Sequence, residues 1–421
     1  MDHEHSYLPR LATGCHEPTA GTHVRGGSVR IVVKFGGTSL ATGDRIDRAA
    51  DSIAAVVEAG HEVVVVASAM GNTTDDLLDA ISFDADERDR AEIVSMGERT
   101  SVRMLKAALS ARDIPAIFVE PGSDTWPIIV DEHGELEREE TRRRTNELEG
   151  RLAESVPVVT GFLAEDHEGN VTTLGRGGSD TTAVMLGNYL DADEVIIVTD
   201  VEGVMTGDPR AVEGARNVGQ ITVDELRNLS FRGAEVVAPS ALAYKTDDMS
   251  MRVIHYQHTD LLTGGTDIVG EFENLIDMRE HPLACVTVAG RAIRNQPGIL
   301  ADLSSALGEA DINIDAVSSG LDSVTFYIDA DQGKDAEAVL HDTVIDSTVL
   351  SSITVDEPVG VIRITSSDLP QQLNVLLEVL GPLADAYLPI HDLITSATTV
   401  AVFVNWEDGE QALELIQSAF D

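Results

Sequence analysis

From Val29 onward, short apolar runs alternate with amphipathic stretches. The runs VRIVVKF, EVVVVA, VPVVTGF and EVIIVT each have the length of a buried strand. Between the first two, apolar residues recur with helical spacing, for example at Ile46, Ala49 and Ile53. Apolar strands that alternate with helices predict an α/β fold with a mostly parallel sheet covered on both faces. Ligands bind at the carboxyl ends of such strands, where the glycine-rich segments of this chain lie.

The pattern changes near residues 273–283, and two shorter units follow. Each unit reads strand, helix, strand, strand, helix, so it predicts an internal repeat of a small α+β module. We therefore expect one large domain at 29–272 and two modules at 284–352 and 358–421. Residues 1–28 have no apolar periodicity and many helix breakers, which predicts a disordered tail.

The charge balance is strongly acidic. The 421 residues include 73 acids and 29 bases, for a formal net charge of −44. Such a charge disfavours nucleic-acid binding through phosphate contacts. It also makes the folded chain repel itself in dilute salt, and screening over about 3 Å at 1 M ionic strength would relieve that repulsion. We therefore expect a halophilic protein. Lysine occurs only at Lys34, Lys106, Lys245 and Lys334.

Three features bear on where the protein works. No apolar run approaches the length of a membrane span, and the N-terminus lacks the basic and apolar regions of a signal peptide. The two cysteines, Cys15 and Cys285, cannot form a disulfide framework. We expect a cytoplasmic protein with no membrane partner.

The first glycine-rich segment, KFGGTS at 34–39, joins a predicted strand to a predicted helix. Its two glycines allow backbone N–H groups to approach an anion, and the helix N-terminus adds positive potential. Lys34 stands at the end of the strand, next to that space. By itself the segment is equally consistent with an ordinary turn that leaves Lys34 on the surface.

The second glycine-rich segment is TLGRGGSDT at 173–181. Its glycines permit backbone contact with phosphate, Arg176 could hold a carboxylate in bidentate fashion, and Asp180 could orient a metal ion or Lys34. The alternative is a glycine-rich hairpin followed by a helix cap, with Ser179 or Asp180 as the capping residue.

A third segment, TDVEGVMTGDPR at 199–210, suits a nucleotide base and ribose, although a surface loop would look the same. No segment is a Walker A, dinucleotide-binding or protein-kinase motif. Phosphoryl transfer depends mainly on positioning and positive charge. Two glycine-lined helix N-termini, one lysine and Mg²⁺ would supply both. A carboxylate acceptor is already ionised at neutral pH, so the lack of an obvious general base is consistent with an acyl phosphate product.

From about residue 29 to residue 420, the chain resembles the aspartate kinases of the amino acid kinase family. The resemblance rests on motifs that occur in the family's order, namely KFGGTS, SAMGNTT, VSMGERTS, VVTGF, TTLGRGGSDTTA and TDVEGVMTGDPR. It implies an α/β fold, an amino acid kinase-like sandwich with a mostly parallel central sheet, followed by two α+β ACT modules of ferredoxin-like type.

The resemblance also implies an activity and its partners. The γ-phosphate of ATP would pass to the β-carboxylate of L-aspartate, which gives 4-phospho-L-aspartate, the first step towards lysine, threonine and methionine. ATP and Mg²⁺ would be the cofactors. The ACT modules would bind lysine, threonine or both as feedback effectors, and would build a homodimer or larger homo-oligomer.

By position, the resemblance implies that Lys34 and Asp180 are catalytic, with Lys34 stabilising the transferring phosphoryl group and Asp180 organising Lys34 and Mg²⁺. Glu98 would pair with the ammonium of the substrate, and Arg176 would hold its α-carboxylate. The other substrate-binding residues would be Ser39, Thr73 and Ser179. The other nucleotide-binding residues would be Phe35, Gly36, Gly37, Gly177, Gly178, Thr199, Asp200, Asp208 and Arg210. The effector-binding residues would be Asn295, Gln296, Pro297, Gly298, Asn313 and Ile314.

Four features depart from the family pattern. Met205 replaces an aromatic residue, and Glu235 replaces a lysine that often aids ATP binding. Residues 122–128 lack the usual glutamine-alanine-glycine stretch, and 367–370 replace a proline-glycine loop in the second module.

Two alternatives remain open at this stage. One is a related kinase that acts on glutamate or N-acetylglutamate, although Glu98 would not suit an acetylated amine. The other is a catalytically weak regulatory paralogue that binds amino acids through its ACT modules. Met205 and Glu235 favour the paralogue, whereas the retention of Lys34 and Asp180 argues against it.

Overall fold

The computed structural model describes residues 28–230, 236–272, 274–291, 293–366, 375–396 and 398–420. The predicted tail lies outside the described residues except for Ser28, as do Glu235 and Ser367–Pro370. No helix in the described part of the chain combines the length and the apolar character that a membrane crossing requires.

A mostly parallel eight-stranded sheet lies at the centre of the N-terminal part, which confirms the predicted fold class. The strands of this part are β1 (Arg30–Phe35), β2 (Glu62–Ala67), β3 (Ala116–Val119), β4 (Ile129–Val130), β5 (Val156–Thr160), β6 (Leu163–Asp166), β7 (Val171–Thr173), β8 (Glu194–Thr199), β9 (Gln220–Thr222), β10 (Ser250–His255) and β11 (Thr266–Val269). The order in the sheet is β3-β5-β2-β1-β8-β10-β11-β9, and only β10 and β11 pair antiparallel. Strands β4, β6 and β7 form a small separate sheet.

Helices cover both faces of the large sheet, so the successive residues Ile31, Val32 and Val33 of its central strand are all buried. Val32 of β1 lies in one hydrophobic core, whereas Ile31 and Val33 lie in the other. This burial explains why the middle of β1 is a continuous apolar run rather than an alternating one. The helices of this part are α1 (Gly43–Glu58), α2 (Thr73–Ala80), α3 (Glu87–Ser110), α4 (Arg138–Glu149), α5 (Gly178–Tyr189), α6 (Val223–Ser230) and α7 (Pro239–Leu242).

One helix begins earlier than the sequence predicts. The acidic run from Asp84 to Asp89 predicts a solvated linker between two helices, and α3 begins within it, at Glu87. The Asp86 carboxylate caps the helix by accepting a hydrogen bond from the Asp89 N–H at 2.8 Å. Acidic residues in a first turn also interact favourably with the helix dipole. Residues 84–86 therefore lie in the predicted linker between α2 and α3, whereas Glu87–Asp89 form the first turn of α3.

The C-terminal part contains a single seven-stranded sheet. Its strands are β12 (Leu275–Met278), β13 (Leu283–Gly290), β14 (Ala316–Ser319), β15 (Ser323–Asp329), β16 (Leu350–Thr365), β17 (Ile390–Thr395) and β18 (Thr399–Asn405), and its described helices are α8 (Ile299–Glu309), α9 (Gly333–Asp346), α10 (Val375–Asp385) and α11 (Gly409–Phe420). The order is β14-β15-β13-β16-β18-β17, with β12 also on β16.

The two repeated units share strand β16. Its first half pairs with β13, and its second half pairs with β18 and β12. The sequence pattern predicts a strand only for the second half, and it assigns no element to 275–278. Strand β12 precedes the first unit in the chain but packs on the second, because Met278 contacts Gly360 and Gly409 closely. The module limits at 352 and 358 remain predictions, since β16 runs across them.

A substitution at Gly290 tests the junction between β13 and β16. An added Cβ would lie 2.6 Å from the Val349 carbonyl oxygen and 2.9 Å from the Leu350 Cα, so Gly290→Ala must displace backbone. We expect Gly290→Ala to destabilise this sheet by roughly 1–3 kcal/mol, read as a lower Tm in molar KCl. The control is Gly308→Ala in α8, where nothing lies within 4 Å of the new Cβ. Equal Tm values for the two variants would contradict the described junction.

Candidate active site

The carboxyl ends of four parallel strands meet at one edge of the large sheet, and backbone hydrogen bonds join the loops that leave them. The Gly36 N–H donates to the Val198 carbonyl (3.1 Å), and the Gly71 N–H donates to the Gly37 carbonyl (2.8 Å). The Gly161 N–H donates to the Ala67 carbonyl at 3.0 Å. The loops after β1, β2, β5 and β8 therefore form one continuous surface.

An ion pair joins the two glycine-rich segments predicted to bind phosphate. The Lys34 Nζ lies 2.6 Å from the Asp180 Oδ1, and each side chain is only 12% exposed. Lys34 is held by β1, and Asp180 lies in the first turn of α5. The second carboxylate oxygen, Asp180 Oδ2, accepts a hydrogen bond from the Ala238 N–H at 3.1 Å. The predicted pairing of Lys34 with Asp180 is therefore present in the structure.

Close backbone approach explains two of the glycines. A Cβ on Gly37 would lie 2.8 Å from the carbonyl oxygens of both Ala69 and Gly71, closer than any side chain tolerates. Gly177 has φ +76°, a left-handed conformation, and its Cβ would lie 2.3 Å from the Cβ of Ala238. Both loops can pack this closely only because the two positions lack side chains.

Glu98 is a buried carboxyl at the same edge, 3% exposed. Its Oε1 accepts a hydrogen bond from the Ala69 N–H (3.3 Å), and its Oε2 has no hydrogen-bond partner among the described residues. Burial raises the pKa of Glu98 to about 7, although the Ala69 hydrogen bond opposes the rise. A buried carboxylate oxygen without a partner suits a cationic group of a ligand.

Three predicted hydroxyls lie at this edge. Ser39 is 2% exposed and donates to the Val198 carbonyl (3.1 Å), while Thr73 donates to the Met70 carbonyl (2.5 Å). Ser179 lies against Gly161, whose added Cβ would be 2.6 Å from the Ser179 Oγ. Their roles in substrate binding remain predictions.

The predicted nucleotide residues are less tightly held. Phe35 is 3% exposed, and its side chain packs in the hydrophobic core, so only its backbone can face a ligand. The Thr199 hydroxyl donates to Asp200 (3.3 Å), and the Arg210 N–H donates to Asp208 (2.9 Å). The exposed side chains here are those of Asp200, Asp208 and Arg210, together with that of Arg176 in the loop before α5.

The predicted effector loop precedes α8. Gly298 has φ +96° and is the N-cap of that helix, and Asn295, Gln296 and Pro297 are exposed before it. Opposite, Asn313 is exposed and Ile314 packs against the core of the first module. Effector binding by these residues remains a prediction.

Asp180 is the one acid predicted to serve a metal ion. The described residues contain no cluster of three or more His, Cys, Asp or Glu side chains placed to hold one. A single carboxylate such as Asp180 is compatible with Mg²⁺ in phosphoryl-transfer sites, where substrate phosphates and water supply the other ligands, and its metal role remains a prediction.

Sequence reasoning missed the backbone group that orients Asp180. The Ala238 N–H precedes α7, a helix with proline at its first position. Proline at that position is a recognisable helix start, and a helix start exposes free N–H groups. The segment VAPSA therefore carried a usable signal, although nothing in it indicates which carboxylate the amide would meet.

Comparisons with known proteins agree with this geometry. The amino acid kinase family model matches residues 29–255, and an ACT domain model matches residues 286–344. The aspartokinase of Corynebacterium glutamicum is 30% identical over 93% of this chain and 96% of its own length, and aspartokinase 2 of Bacillus subtilis is 30% identical over 93% and 97%. The crystal structure of aspartate kinase from Synechocystis superposes with a TM-score of 0.76 at 28% identity, covering 93% of this chain and 69% of that one.

The raised pKa of Glu98 predicts a pH-dependent effect of Glu98→Gln on stability. The folded pKa of about 7 exceeds the ordinary value of 4.5, so ionisation of Glu98 costs stability increasingly from pH 4.5 to pH 7. Glutamine removes that cost. We expect the Tm difference between Glu98→Gln and wild type to be several degrees more favourable at pH 8 than at pH 4.5.

The exposed Glu92 in the same helix provides the matched control. Glu92→Gln should show a smaller change of the Tm difference between the two pH values than Glu98→Gln, because the Glu92 side chain is exposed. If Glu98→Gln behaves like Glu92→Gln, Glu98 is not a buried, destabilising carboxylate in the folded protein.

Proposed function

Because the chain belongs to the amino acid kinase family and is an ATP-dependent aspartate kinase, we propose that the Lys34–Asp180 pair is its catalytic centre. The observation that carries the proposal is the buried 2.6 Å contact between these two side chains, at the point where both glycine-rich loops meet. Transfer of a γ-phosphoryl group requires positive charge at a fixed position beside the phosphates. Lys34 would supply that charge next to the two glycine-rich loops.

In the proposed mechanism, a β-carboxylate oxygen of aspartate attacks the γ-phosphorus of ATP. The new bond forms as the bond from phosphorus to the β,γ-bridging oxygen breaks, and ADP leaves with that electron pair. No proton has to move, because the carboxylate is already ionised. Lys34 stabilises the negative charge on the transferring group. The Gly37 N–H is proposed to hold a phosphate oxygen, whereas the Gly36 N–H donates to the Val198 carbonyl and shapes the loop.

Glu98 is proposed to bind the ammonium group of aspartate, with Arg176 on the α-carboxylate. Support comes from the burial of Glu98 and its oxygen without a partner in the described part of the chain. An ammonium ion beside Glu98 would favour the ionised carboxyl and lower its pKa again. Aspartate binding should therefore weaken as the pH falls below about 7.

Mg²⁺ is proposed to be held by the ATP phosphates and by Asp180. When bound, the ion would neutralise charge on the phosphates. The carboxylate has acceptor capacity beyond its contacts with Lys34 and Ala238, since two oxygens offer about four lone-pair directions.

The kinases for glutamate or N-acetylglutamate and the regulatory paralogue are less well supported. The relatives that match almost the whole chain are aspartokinases. A buried carboxylate at position 98 attracts a free ammonium more strongly than an uncharged acetylated amine. It therefore favours a free amino acid over N-acetylglutamate. The intact Lys34–Asp180 pair argues against loss of catalysis.

We propose that the C-terminal sheet is regulatory, with lysine, threonine or both bound at Asn295–Gly298 and Asn313–Ile314, and that it builds a homo-oligomer. The product, 4-phospho-L-aspartate, would lead to lysine, threonine and methionine. We further propose a cytoplasmic, halophilic enzyme, because a net charge of −44 calls for screening. Its Tm should rise with KCl up to molar concentrations.

The direct test is an ATP- and Mg²⁺-dependent hydroxamate assay in molar KCl, which traps the acyl phosphate. With aspartate, glutamate and N-acetylglutamate offered separately, we expect a signal with aspartate alone. Lys34→Ala should reduce it at least a hundredfold, since it removes the positive charge of the Lys34–Asp180 pair. Added L-lysine or L-threonine should lower the wild-type rate.

Lys334→Ala is the matched control, because Lys334 is exposed in the first module and should leave the rate unchanged. A folded wild-type protein that forms no acyl phosphate from any of the three substrates would refute the proposed mechanism. Activity retained in Lys34→Ala would refute only the proposed role of Lys34.

A further inference from the structure

Arg45 occupies an unfavourable place for a cation. It lies in the first turn of α1, where the helix dipole is positive. The chain offers many acids, and Arg112 nearby pairs with Asp47 and Asp51 of the same helix at 2.6 and 2.7 Å. Arg45 is absent from the ion pairs of the described residues. Something other than a carboxylate therefore explains its position.

The guanidinium of Arg45 instead joins Tyr256 to the KFGGTS segment at 34–39, which we call the phosphate loop. Its Nη1 donates to the backbone carbonyl of Thr38, which lies in the KFGGTS segment. Its Nη2 donates to the Tyr256 hydroxyl at 3.2 Å, and its Cζ lies 4.4 Å from the centre of the Tyr256 ring. One side chain thus makes a hydrogen bond to the loop and both a hydrogen bond and a cation–π contact to one tyrosine.

Tyr256 also contacts the segment predicted to bind the nucleotide, residues 199–210, which we call the nucleotide loop. Its backbone N–H donates to the Thr199 carbonyl at 2.8 Å, at the start of that loop. The rings of Tyr256 and His255 lie 4.5 Å apart, and Glu202 of the loop lies 3.8 Å from the His255 Nδ1 and 3.3 Å from the His258 Nε2. Contacts therefore run from the phosphate loop to the nucleotide loop through Arg45 and Tyr256.

We propose that Arg45 and Tyr256 are positioning residues that hold the phosphate loop and the nucleotide loop at the separation ATP requires. The proposal rests on the proposed nucleotide role of these two loops. Neither side chain needs to touch the reacting atoms. Loss of the clamp should weaken ATP binding and leave the aspartate site, built around Glu98, almost unaffected.

The test compares steady-state constants of the full chain in molar KCl. Arg45→Met should raise KM for ATP about tenfold, the typical effect of losing hydrogen bonds from a charged group, with KM for aspartate changed less than twofold. Tyr256→Phe, which keeps the ring, should raise KM for ATP by a smaller factor. The double variant Arg45→Met/Tyr256→Ala should have a KM for ATP no higher than that of the more impaired of its two single variants, because both substitutions remove the same clamp.

Arg48→Met is the matched control, since Arg48 is exposed one turn further along α1 and should leave both constants unchanged. The proposal is overturned if folded Arg45→Met keeps the wild-type KM for ATP, if both KM values rise equally, or if the effects of the two positions multiply. Should Arg45→Met fail to fold, Tyr256→Phe decides, and an unchanged KM for ATP overturns the clamp. An inactive wild type would instead refute the proposed function.

Discussion

The buried ion pair between Lys34 and Asp180 is the contact around which the site is arranged. Removing either partner would leave a charge that is only 12% exposed without its counter-ion, which is costly in a protein interior. The surroundings meet this constraint. The Ala238 N–H orients the carboxylate, and Gly177 lets the α7 segment approach closely enough to provide that N–H. Gly177 thus supports the ion pair, in addition to its proposed role in phosphate binding.

Strand β12 links the C-terminal sheet to the same framework. It follows β11 in the chain, through a connection that begins at Gly270, and it pairs with the shared strand β16. At the start of that connection, the buried Lys245 donates to the Gly270 carbonyl at 3.1 Å. Lys245 follows α7, the helix whose leading N–H group holds Asp180. Burial lowers the pKa of Lys245, and its hydrogen bonds to carbonyls offset part of that cost.

Local patterns predicted much of this molecule. The apolar runs indicated the parallel sheet, and the glycines beside Lys34 and Asp180 indicated the site, because each signal lies within a few residues of sequence. Three features depend on distant partners and could not be predicted that way. These are the pairing of β12 with β16, the shared use of β16 and the hydrogen bond from the Ala238 N–H to Asp180. Each joins two segments that are distant in the chain, and nothing in the sequence of either segment indicates its partner. The burial of Phe35 likewise follows from packing rather than from its place beside the glycines.

The central claim is that Lys34 and Asp180 act as one unit in phosphoryl transfer to aspartate. A double-mutant cycle with Lys34→Met, Asp180→Asn and the combined variant, measured as kcat for hydroxamate formation with saturating ATP and aspartate, tests it most directly. If the pair is one unit, each single substitution lowers kcat by roughly a hundredfold or more, and the combined variant is no slower than the slower single variant. A combined loss equal to the product of the two single losses would contradict the account.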